Sequence, residues 1–257
     1  MIGRVVVERN GARVTLTLSN PLRRNAISYE MYDELEREFT AVAADPTVKV
    51  LVLQGDGDSF AGGTDIRHFR SLTTGAQGVE YEAYMERVQR SLLELRIPIV
   101  SVVRGACVGG GLVLAAISDL VYCTPEAQFG SPIARTLGNT LSTTSLARLY
   151  ACFGRRRTSE MLMTGKLFSA QQAVEAGFVN AVEEVEALEA RVSATVSEIL
   201  ACAPLSIRSF KEFERRIDAA IAAVRTEDIF ETVYGSEDFR EGVRSFLGKR
   251  TAKFKGA

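Results

Sequence analysis

The sequence contains few of the residues that usually build metal, redox or nucleic-acid sites. It has no tryptophan, one histidine and four cysteines, and no two cysteines form a C-x-x-C pair. Zinc-finger and thioredoxin-type sites are therefore not expected. All the cysteines lie in apolar segments, which predicts buried, reduced thiols in a cytoplasmic protein. They are Cys107, Cys123, Cys152 and Cys202.

The charges nearly balance, and no apolar run is long enough to span a membrane without interruption. The formal net charge is −1, and no basic tract carries interleaved aromatic residues, so we expect no nucleic-acid partner. The short basic runs 155–157 and 249–255 are typical of solvated surface. The apolar stretch 97–123 is interrupted by Arg104, several glycines and Asp119, which predicts a buried core segment and no membrane partner. The N-terminal residues also lack the pattern of a signal peptide.

Strand and helix patterns alternate along the first 140 residues. Apolar runs over 5–8 and 14–18 predict a hairpin turned at Asn10-Gly11, and a helix capped by Ser28 follows to about residue 44. Further predicted elements are strands over 48–53, 98–103 and 120–123, a helix that carries Tyr84, Val88, Leu92 and Leu95, and a helix after Gly109-Gly110-Gly111. This alternation is typical of an α/β fold.

Beyond residue 140 the sequence predicts helices and no strands. Ser169 and Gln172 form a capping box, and Gly177 supplies a helix C-terminus. The last helices are predicted over about 186–201, 205–223, 226–234 and 236–247. We therefore divide the chain into an α/β core over 1–195, which would hold any site, and a helical segment over 196–257.

Two glycine-rich loops each follow a buried strand and begin a helix. One contains Gly62 and Gly63, and the other contains Gly109, Gly110 and Gly111. Such loops offer unpaired backbone N–H groups, and two facing donors can form an oxyanion hole. The alternative is that the glycines only allow tight packing of a helix on a strand. Neither the G-K-[ST] of a P-loop nor the G-x-G-x-x-G of a Rossmann fold is present.

Several ordered motifs resemble one family. Residues 59–66 (SFAGGTDI) resemble the F-x-A-G-x-D-I loop, and residues 104–111 (RGACVGGG) resemble the N-G-x-a-x-G-G-G segment, of the crotonase (enoyl-CoA hydratase/isomerase) superfamily. Further matches lie at 20–26, 118–120, 127–130, 162–165 and 173–179. The resemblance covers nearly the whole chain. It implies a ClpP-like spiral of β-β-α units, with C-terminal helices that build a trimer or a dimer of trimers.

The resemblance also implies a site for an acyl-CoA substrate, with coenzyme A as part of the substrate and no separate cofactor. The thioester enolate would be stabilised by the N–H groups of Thr64 and Gly110. Coenzyme A contacts would fall on Arg24, Asn25, Ala26, Gly62, Asp65 and Ile66. From the family's C-terminal pattern, Phe246 and Lys249 would reach the coenzyme A of a neighbouring subunit.

The sequence departs from the family at both hydratase glutamates. The position three residues after the middle glycine is Val113, and the position after the F-G-x-P motif is Ile133. Hydration needs a base to activate water and an acid to protonate carbon, and neither side chain can do this. Standard enoyl-CoA hydration is therefore not expected, and the usual isomerase carboxylate is missing as well.

Four other residues are candidates for proton transfer or substrate contact. His68 is the only histidine, the residue type most often used for acid–base catalysis, although its offset from Thr64 predicts that it turns away. Glu80 and Glu82 lie on the helix after the oxyanion loop, where polar residues more often form a solvated face. Arg135 would bind a substrate carboxylate or only a surface acid.

The sequence leaves three functional hypotheses. The first is an acyl-CoA-processing enzyme of the hydratase/isomerase type, a lyase or isomerase acting on a CoA thioester. The alternative is a non-catalytic acyl-CoA-binding protein, since the glycine loops are retained without the glutamates. A ClpP-like hydrolase is the weakest hypothesis, because no G-x-S-x-G motif is present.

Overall fold

A six-stranded sheet forms the centre of the computed structural model, which describes residues 3–222 and 224–256. Strands β1 and β2 form an antiparallel hairpin, as predicted, with Gly11 at φ +57° in the turn. The other neighbouring strands pair in parallel, in the order β1-β2-β3-β4-β6-β9. The strands are β1 (Arg4–Asn10), β2 (Arg13–Ser19), β3 (Val50–Gly55), β4 (Ile99–Val103), β6 (Leu120–Cys123) and β9 (Ala181–Val182).

A second, three-stranded sheet consists of β5 (Ala106–Val108), β7 (Gln128–Gly130) and β8 (Phe168–Ser169). Strand β7 pairs in parallel with β5 and antiparallel with β8. Strands β8 and β9 lie beyond residue 140, so the prediction of no strands there was wrong. Each has only two residues, which is too short to show an alternating pattern; tertiary pairing alone forms them.

Eleven α-helices lie in the described part of the chain. The predicted caps are present: Ser28 accepts from Met31 N, and Ser169 and Gln172 form the capping box. The helices are α1 (Tyr29–Ala44), α2 (Gly75–Leu93), α3 (Gly110–Ile117), α4 (Ile133–Thr136), α5 (Thr143–Phe153), α6 (Arg155–Thr164), α7 (Ala170–Ala176), α8 (Val185–Ala201), α9 (Pro204–Ala222), α10 (Glu227–Tyr234) and α11 (Glu237–Leu247).

The large sheet is buried on both faces. Leu51 and Leu53 of β3 face the main core, whereas Val50 and Val52 face a smaller cluster with Leu188 and other apolar residues of α8. This double burial explains why β3 and β4 are continuous apolar runs, and it confirms that 97–123 contains core elements. Residue 195 lies within α8, so secondary structure is unbroken at the predicted boundary. The two-part division of the chain stays a prediction.

The cysteines do not share one environment. Cys107 and Cys123 are buried, Cys152 is half-buried and Cys202 is exposed. The prediction of four buried thiols was therefore wrong for Cys202, which lies at the C-terminal cap of α8.

In the described residues, no single helix is long and apolar enough to cross a membrane. Helices α8 and α9 pass that test only as a pair bent by 104°, on length and composition alone.

Candidate active site

The two glycine-rich loops lie against each other. Val108 N donates to Ala61 O at 2.9 Å, and Ile27 N donates to Gly63 O at 2.8 Å, which fixes both loops. A Cβ atom placed on Gly110 would lie 3.7 Å from Thr64 N, so the N–H groups of Thr64 and Gly110 occupy one small space. Neither N–H donates to any backbone or side-chain acceptor in residues 3–222 and 224–256. Two unused donors are therefore close together.

Each of the three glycines in the second loop is explained by a different feature of the structure. Gly109 caps α3 with φ +54° and ψ −117°, a conformation that other residues rarely adopt. A Cβ on Gly110 would lie 2.3 Å from Tyr32 Oη, and one on Gly111 would lie 2.6 Å from Ala61 Cβ. Tight packing, the alternative explanation, therefore accounts for Gly111. Gly110 instead leaves room beside the Tyr32 hydroxyl.

Two tyrosines hold the side chain of Thr64. Tyr32 Oη lies 2.9 Å and Tyr81 Oη lies 3.4 Å from Thr64 Oγ1, within hydrogen-bonding distance. Burial raises the pKa of both phenols, so both remain protonated at neutral pH. The loop that carries the Thr64 N–H is thus anchored from α1 and from α2.

A cavity of about 640 Å³ opens at these loops. Its mouth is cationic, with Arg23, Arg24, Arg67 and Lys249 among the lining residues. Tyr81, Met85 and Gln89 line it along one face of α2, which at 1.5 Å per residue gives a length of about 12 Å. The rest of the wall is mostly apolar and includes Phe69, Val113, Ile133, Leu137 and Leu141.

Most of the predicted coenzyme A contacts line this cavity, but Asn25 does not. Its side chain is fully buried: Oδ1 accepts from Asn20 N at 2.9 Å, and Nδ2 donates to Asp56 O and Ser59 O. Asn25 therefore stabilises the turn beneath the mouth. The predicted contacts that do line the cavity are Arg24, Ala26, Gly62, Asp65, Ile66, Phe246 and Lys249.

The two predicted C-terminal contacts also line the cavity. Phe246 lies near the end of α11 and Lys249 follows that helix, which packs on α4 and on the 3-10 helix Ile66–Ser71 of the same chain. Both residues line the cavity of their own chain, and their contact with the coenzyme A of a neighbouring subunit stays a prediction.

The carboxylate of Asp65 interacts with a nearby residue, Arg67. It caps the 3-10 helix by accepting from Arg67 N at 3.1 Å, and its carboxylate is paired with the Arg67 guanidinium. Burial acts to raise the pKa of Asp65, but the hydrogen bonds and charge of Arg67 outweigh it and hold the pKa below its usual value. Asp65 thus fixes a cation at the mouth.

Three of the four proton-transfer or substrate candidates lie outside the cavity. His68 stacks on Tyr29 with ring centroids 4.2 Å apart, and its Nε2 accepts from Tyr29 N. Glu80 is exposed to solvent. Arg135 is also exposed and lies against Gly165. The structure does not bring these three side chains to the oxyanion loop.

The fourth candidate, Glu82, is buried in the cavity wall. It is 8% exposed, and the hydroxyl of Tyr234 donates to its Oε1. Burial raises the pKa of Glu82 to about 7, the Tyr234 hydrogen bond acts in the opposite direction, and the nearby charge of Glu86 adds to the rise. Sequence reasoning missed Tyr234 as a partner, because 152 residues separate the two side chains.

Comparison with known proteins identifies the family. A family model described as enoyl-CoA hydratase/isomerase matches residues 8–257. The crotonyl-CoA hydratase of Syntrophomonas wolfei is 29% identical over 256 residues, which cover 97% of each protein. The 2,3-dehydroadipyl-CoA hydratase of Escherichia coli is 29% identical over 257 residues, which cover 98% of each. The chain belongs to the enoyl-CoA hydratase/isomerase, or crotonase, family.

Solved structures of crotonase-family proteins share the fold. An enoyl-CoA hydratase/carnithine racemase from Magnetospirillum magneticum has a TM-score of 0.80 and 31% identity, covering 100% of this chain and 97% of that one. A methylmalonyl-CoA decarboxylase in complex with 2-nitronate-propionyl-CoA has a TM-score of 0.88 and 26% identity, covering 99% of each. The predicted fold class, a crotonase fold of β-β-α units with C-terminal helices, is confirmed.

In this crotonase-family chain, the two residues that the resemblance places at the hydratase glutamate positions are both part of the cavity wall. Val113 lies on α3, one turn after Gly110, and Ile133 begins α4. Both side chains therefore border the ligand space. Both side chains are hydrocarbons, which cannot transfer a proton.

Proposed function

We propose that the chain is an enzyme that binds an acyl-CoA and works through the enolate of its thioester. The observation that supports this most directly is the pair of unused N–H groups, those of Thr64 and Gly110, beside one cavity. Two donors directed at one oxygen stabilise the negative charge that develops there when an enolate forms. The first turn of α3 adds its favourable dipole, because Gly110 is its first residue.

The rest of the cavity suits the remainder of such a substrate. The cationic mouth, with Arg23, Arg24, Arg67 and Lys249, matches the phosphates of coenzyme A. The apolar part of the wall, which includes Phe69, Val113 and Ile133, matches an acyl chain, and the cavity extends for about 12 Å along α2, which allows a chain of medium length. The thioester would then lie between these two regions, beside Thr64.

Standard hydration is not part of this proposal. With Val113 and Ile133 in the wall, no carboxylate stands where the hydratases of the family carry theirs. These side chains fit better with a lyase or isomerase reaction that also passes through an enolate but uses other groups to transfer protons.

The test is binding and carbonyl polarisation. We expect butyryl-CoA to bind, measured by calorimetry, and the infrared C=O stretch of carbonyl-labelled butyryl-CoA to move to lower frequency on the protein. A bound thioester with an unshifted band would contradict the oxyanion hole. Free coenzyme A, which has no carbonyl at this position, controls for binding through the mouth alone. Binding without turnover of any enoyl-, malonyl- or aryl-CoA would favour the non-catalytic alternative.

Decarboxylation of a malonyl-type CoA thioester is a second candidate. Loss of carbon dioxide leaves its electron pair on the α-carbon, so an enolate forms without a base at position 113 or 133. The similarity to the methylmalonyl-CoA decarboxylase structure supports this candidate. Release of carbon dioxide from methylmalonyl-CoA would favour it over proton abstraction, and an intact substrate after long incubation would exclude it.

A further inference from the structure

Glu82 is a buried acid in the cavity wall that the proposed function does not yet use. It lies on α2 next to Tyr81, whose hydroxyl reaches Thr64 Oγ1 in the oxyanion loop. Glu82 therefore lines the same cavity as Thr64 and Gly110, where a thioester would be polarised. Buried carboxyl groups are uncommon unless they are paired or functional.

The two oxygens of Glu82 have different surroundings. Oε1 accepts the hydrogen bond of Tyr234. Oε2 has no hydrogen-bond partner in residues 3–222 and 224–256. It is also not one of the unpaired side-chain atoms in that part of the chain that protein encloses completely. Oε2 therefore borders open space. Because Glu82 lines the cavity and is hardly exposed elsewhere, that space is the cavity. One oxygen is held and the other is available to a ligand.

The packing of α10 on α2 places Tyr234 against Glu82. A Cβ on Gly78 of α2 would lie 2.1 Å from Tyr234 Cβ, and one on Gly75 would lie 2.1 Å from Glu231 O. Glycine destabilises the interior of a helix, so its presence at position 78 needs an explanation. The explanation is packing, because the missing side chain lets α10 approach α2 closely. Asn139, which also lines the cavity, donates to Tyr234 Oη at 3.5 Å. The phenol is thus held from two sides.

We infer that Glu82 is the proton-transfer group of this site and that Tyr234 is its positioning residue; this rests on the acyl-CoA function proposed above. Oε2 of the Glu82 carboxylate takes a proton from the α-carbon of a β,γ-unsaturated acyl-CoA. The electrons of the broken C–H bond move onto the thioester oxygen, which the N–H groups of Thr64 and Gly110 stabilise. Glu82 then returns the proton to the γ-carbon, and the double bond moves into conjugation with the thioester. The step consumes no water, oxidant or second acid.

The charges around Glu82 suit both halves of this cycle. Burial is the main cause that raises its pKa to about 7, with a further rise from Glu86 on the same helix and an opposing effect of the Tyr234 hydrogen bond. The other ionisable groups that face it are the phenols of Tyr81 and Tyr32, whose pKa values burial also raises. Near neutral pH the carboxyl group can therefore act as a base and then as an acid.

The experiment follows proton exchange at the α-carbon. Butyryl-CoA is incubated in D2O with the whole protein, and deuterium uptake is measured by mass spectrometry; 3-hexenoyl-CoA is followed in parallel for conversion to the conjugated 2-enoyl thioester. We expect Glu82→Gln to bind butyryl-CoA as the wild type does and to lose at least about 100-fold in both rates. Glu80→Gln, an exposed carboxylate on the same helix, is the matched control and should keep both rates.

The outcomes separate the two proposals. A wild-type protein that binds butyryl-CoA, with exchange unchanged in Glu82→Gln or absent from both, overturns the role of Glu82 and leaves the binding site intact. A wild-type protein that does not bind the thioester overturns the proposed function, and this inference with it.

Tyr234→Phe tests the positioning role and also serves if Glu82→Gln does not fold. The Tyr234 hydroxyl stabilises the charged carboxylate, so its removal raises the pKa of Glu82. Exchange needs the deprotonated base, so its rise with pH should begin near pH 7 in the wild type and move to higher pH in the variant. A lower rate with an unmoved profile would mean that Tyr234 is merely structural, and would overturn its assignment.

Discussion

At the scale of single residues, the geometry of the oxyanion loops depends on the absence of a side chain at Gly110. A methyl group on Gly110 would meet the hydroxyl of Tyr32 at 2.3 Å and approach Thr64 Oγ1 at 3.3 Å. Since Tyr32 is fully buried, it cannot swing away, and the loop must shift instead. The position of the two N–H groups is therefore sensitive to this one contact.

We predict that Gly110→Ala lowers turnover of the enzyme's best CoA thioester by about 100-fold, comparable to the loss of one oxyanion donor. The double variant Tyr32→Phe/Gly110→Ala removes the hydroxyl that the methyl group meets and should recover most of the rate. Tyr32→Phe alone is the control. Full activity of Gly110→Ala, measured by initial rates, would show that the separation of the two N–H groups is not critical.

Glu82 also makes stability depend on pH. Its pKa is raised from 4.5 to about 7 in the folded chain, so the folded state binds this proton more tightly than the unfolded state. The stabilisation is complete below about pH 4.5 and is lost as the pH rises through 7, up to about 3 kcal/mol. Urea unfolding without ligand should show that Glu82→Gln, compared with wild type, is relatively more stable at pH 8 than at pH 5. The same pH dependence in both proteins would contradict this, and Glu80→Gln is the control.

At the scale of elements, local patterns predicted most of the fold. Strand β6 lies where its apolar run predicted, and α3 begins within the three glycines, at Gly110, because burial and backbone freedom are encoded in neighbouring residues. Strands β8 and β9 were missed because two residues carry no periodicity. The contact of Tyr234 with Glu82 was missed for a related reason: a predicted helix, α10, does not indicate which surface receives it. Gly78, inside the α2 pattern, was the one available signal of close helix packing.

The residues of the site likewise divide into those that the sequence predicted and those that it could not predict. The two glycine loops were predicted, since each belongs to a continuous motif whose residues lie together in the structure. Of the four basic mouth residues, Arg24 and Lys249 were predicted and Arg23 and Arg67 were missed, although both are next to a predicted residue in the sequence. Asn25 was assigned to coenzyme A, but its side chain bonds the backbone of a distant loop near Ser59. Glu82 could not be distinguished from Glu80 by sequence, because two residues on one helix differ in burial only once a partner surface is known.

At the scale of the whole molecule, α9 carries an apolar stripe that its own chain does not cover. Leu205, Phe210, Phe213 and Ile217 are each more than half exposed. The opposite side of α9 is attached to the core, where Lys211 pairs with Asp119 at 2.7 Å. Exposed apolar patches of this kind are typical of protein–protein interfaces. We therefore propose that α9 packs against other copies of the chain, in a trimer or a dimer of trimers.

We predict that Phe213→Glu dissociates this assembly, because a carboxylate in the middle of the stripe would have to be buried without a partner. Analytical ultracentrifugation should show trimers or hexamers for the wild type and smaller species for the variant at the same concentration. Arg215→Glu introduces the same new side chain about 200° around the helix and should leave the assembly unchanged. Because Phe246 and Lys249 line the cavity of their own chain, the dissociated variant should still bind butyryl-CoA. Loss of binding on dissociation would mean that a second subunit completes the site.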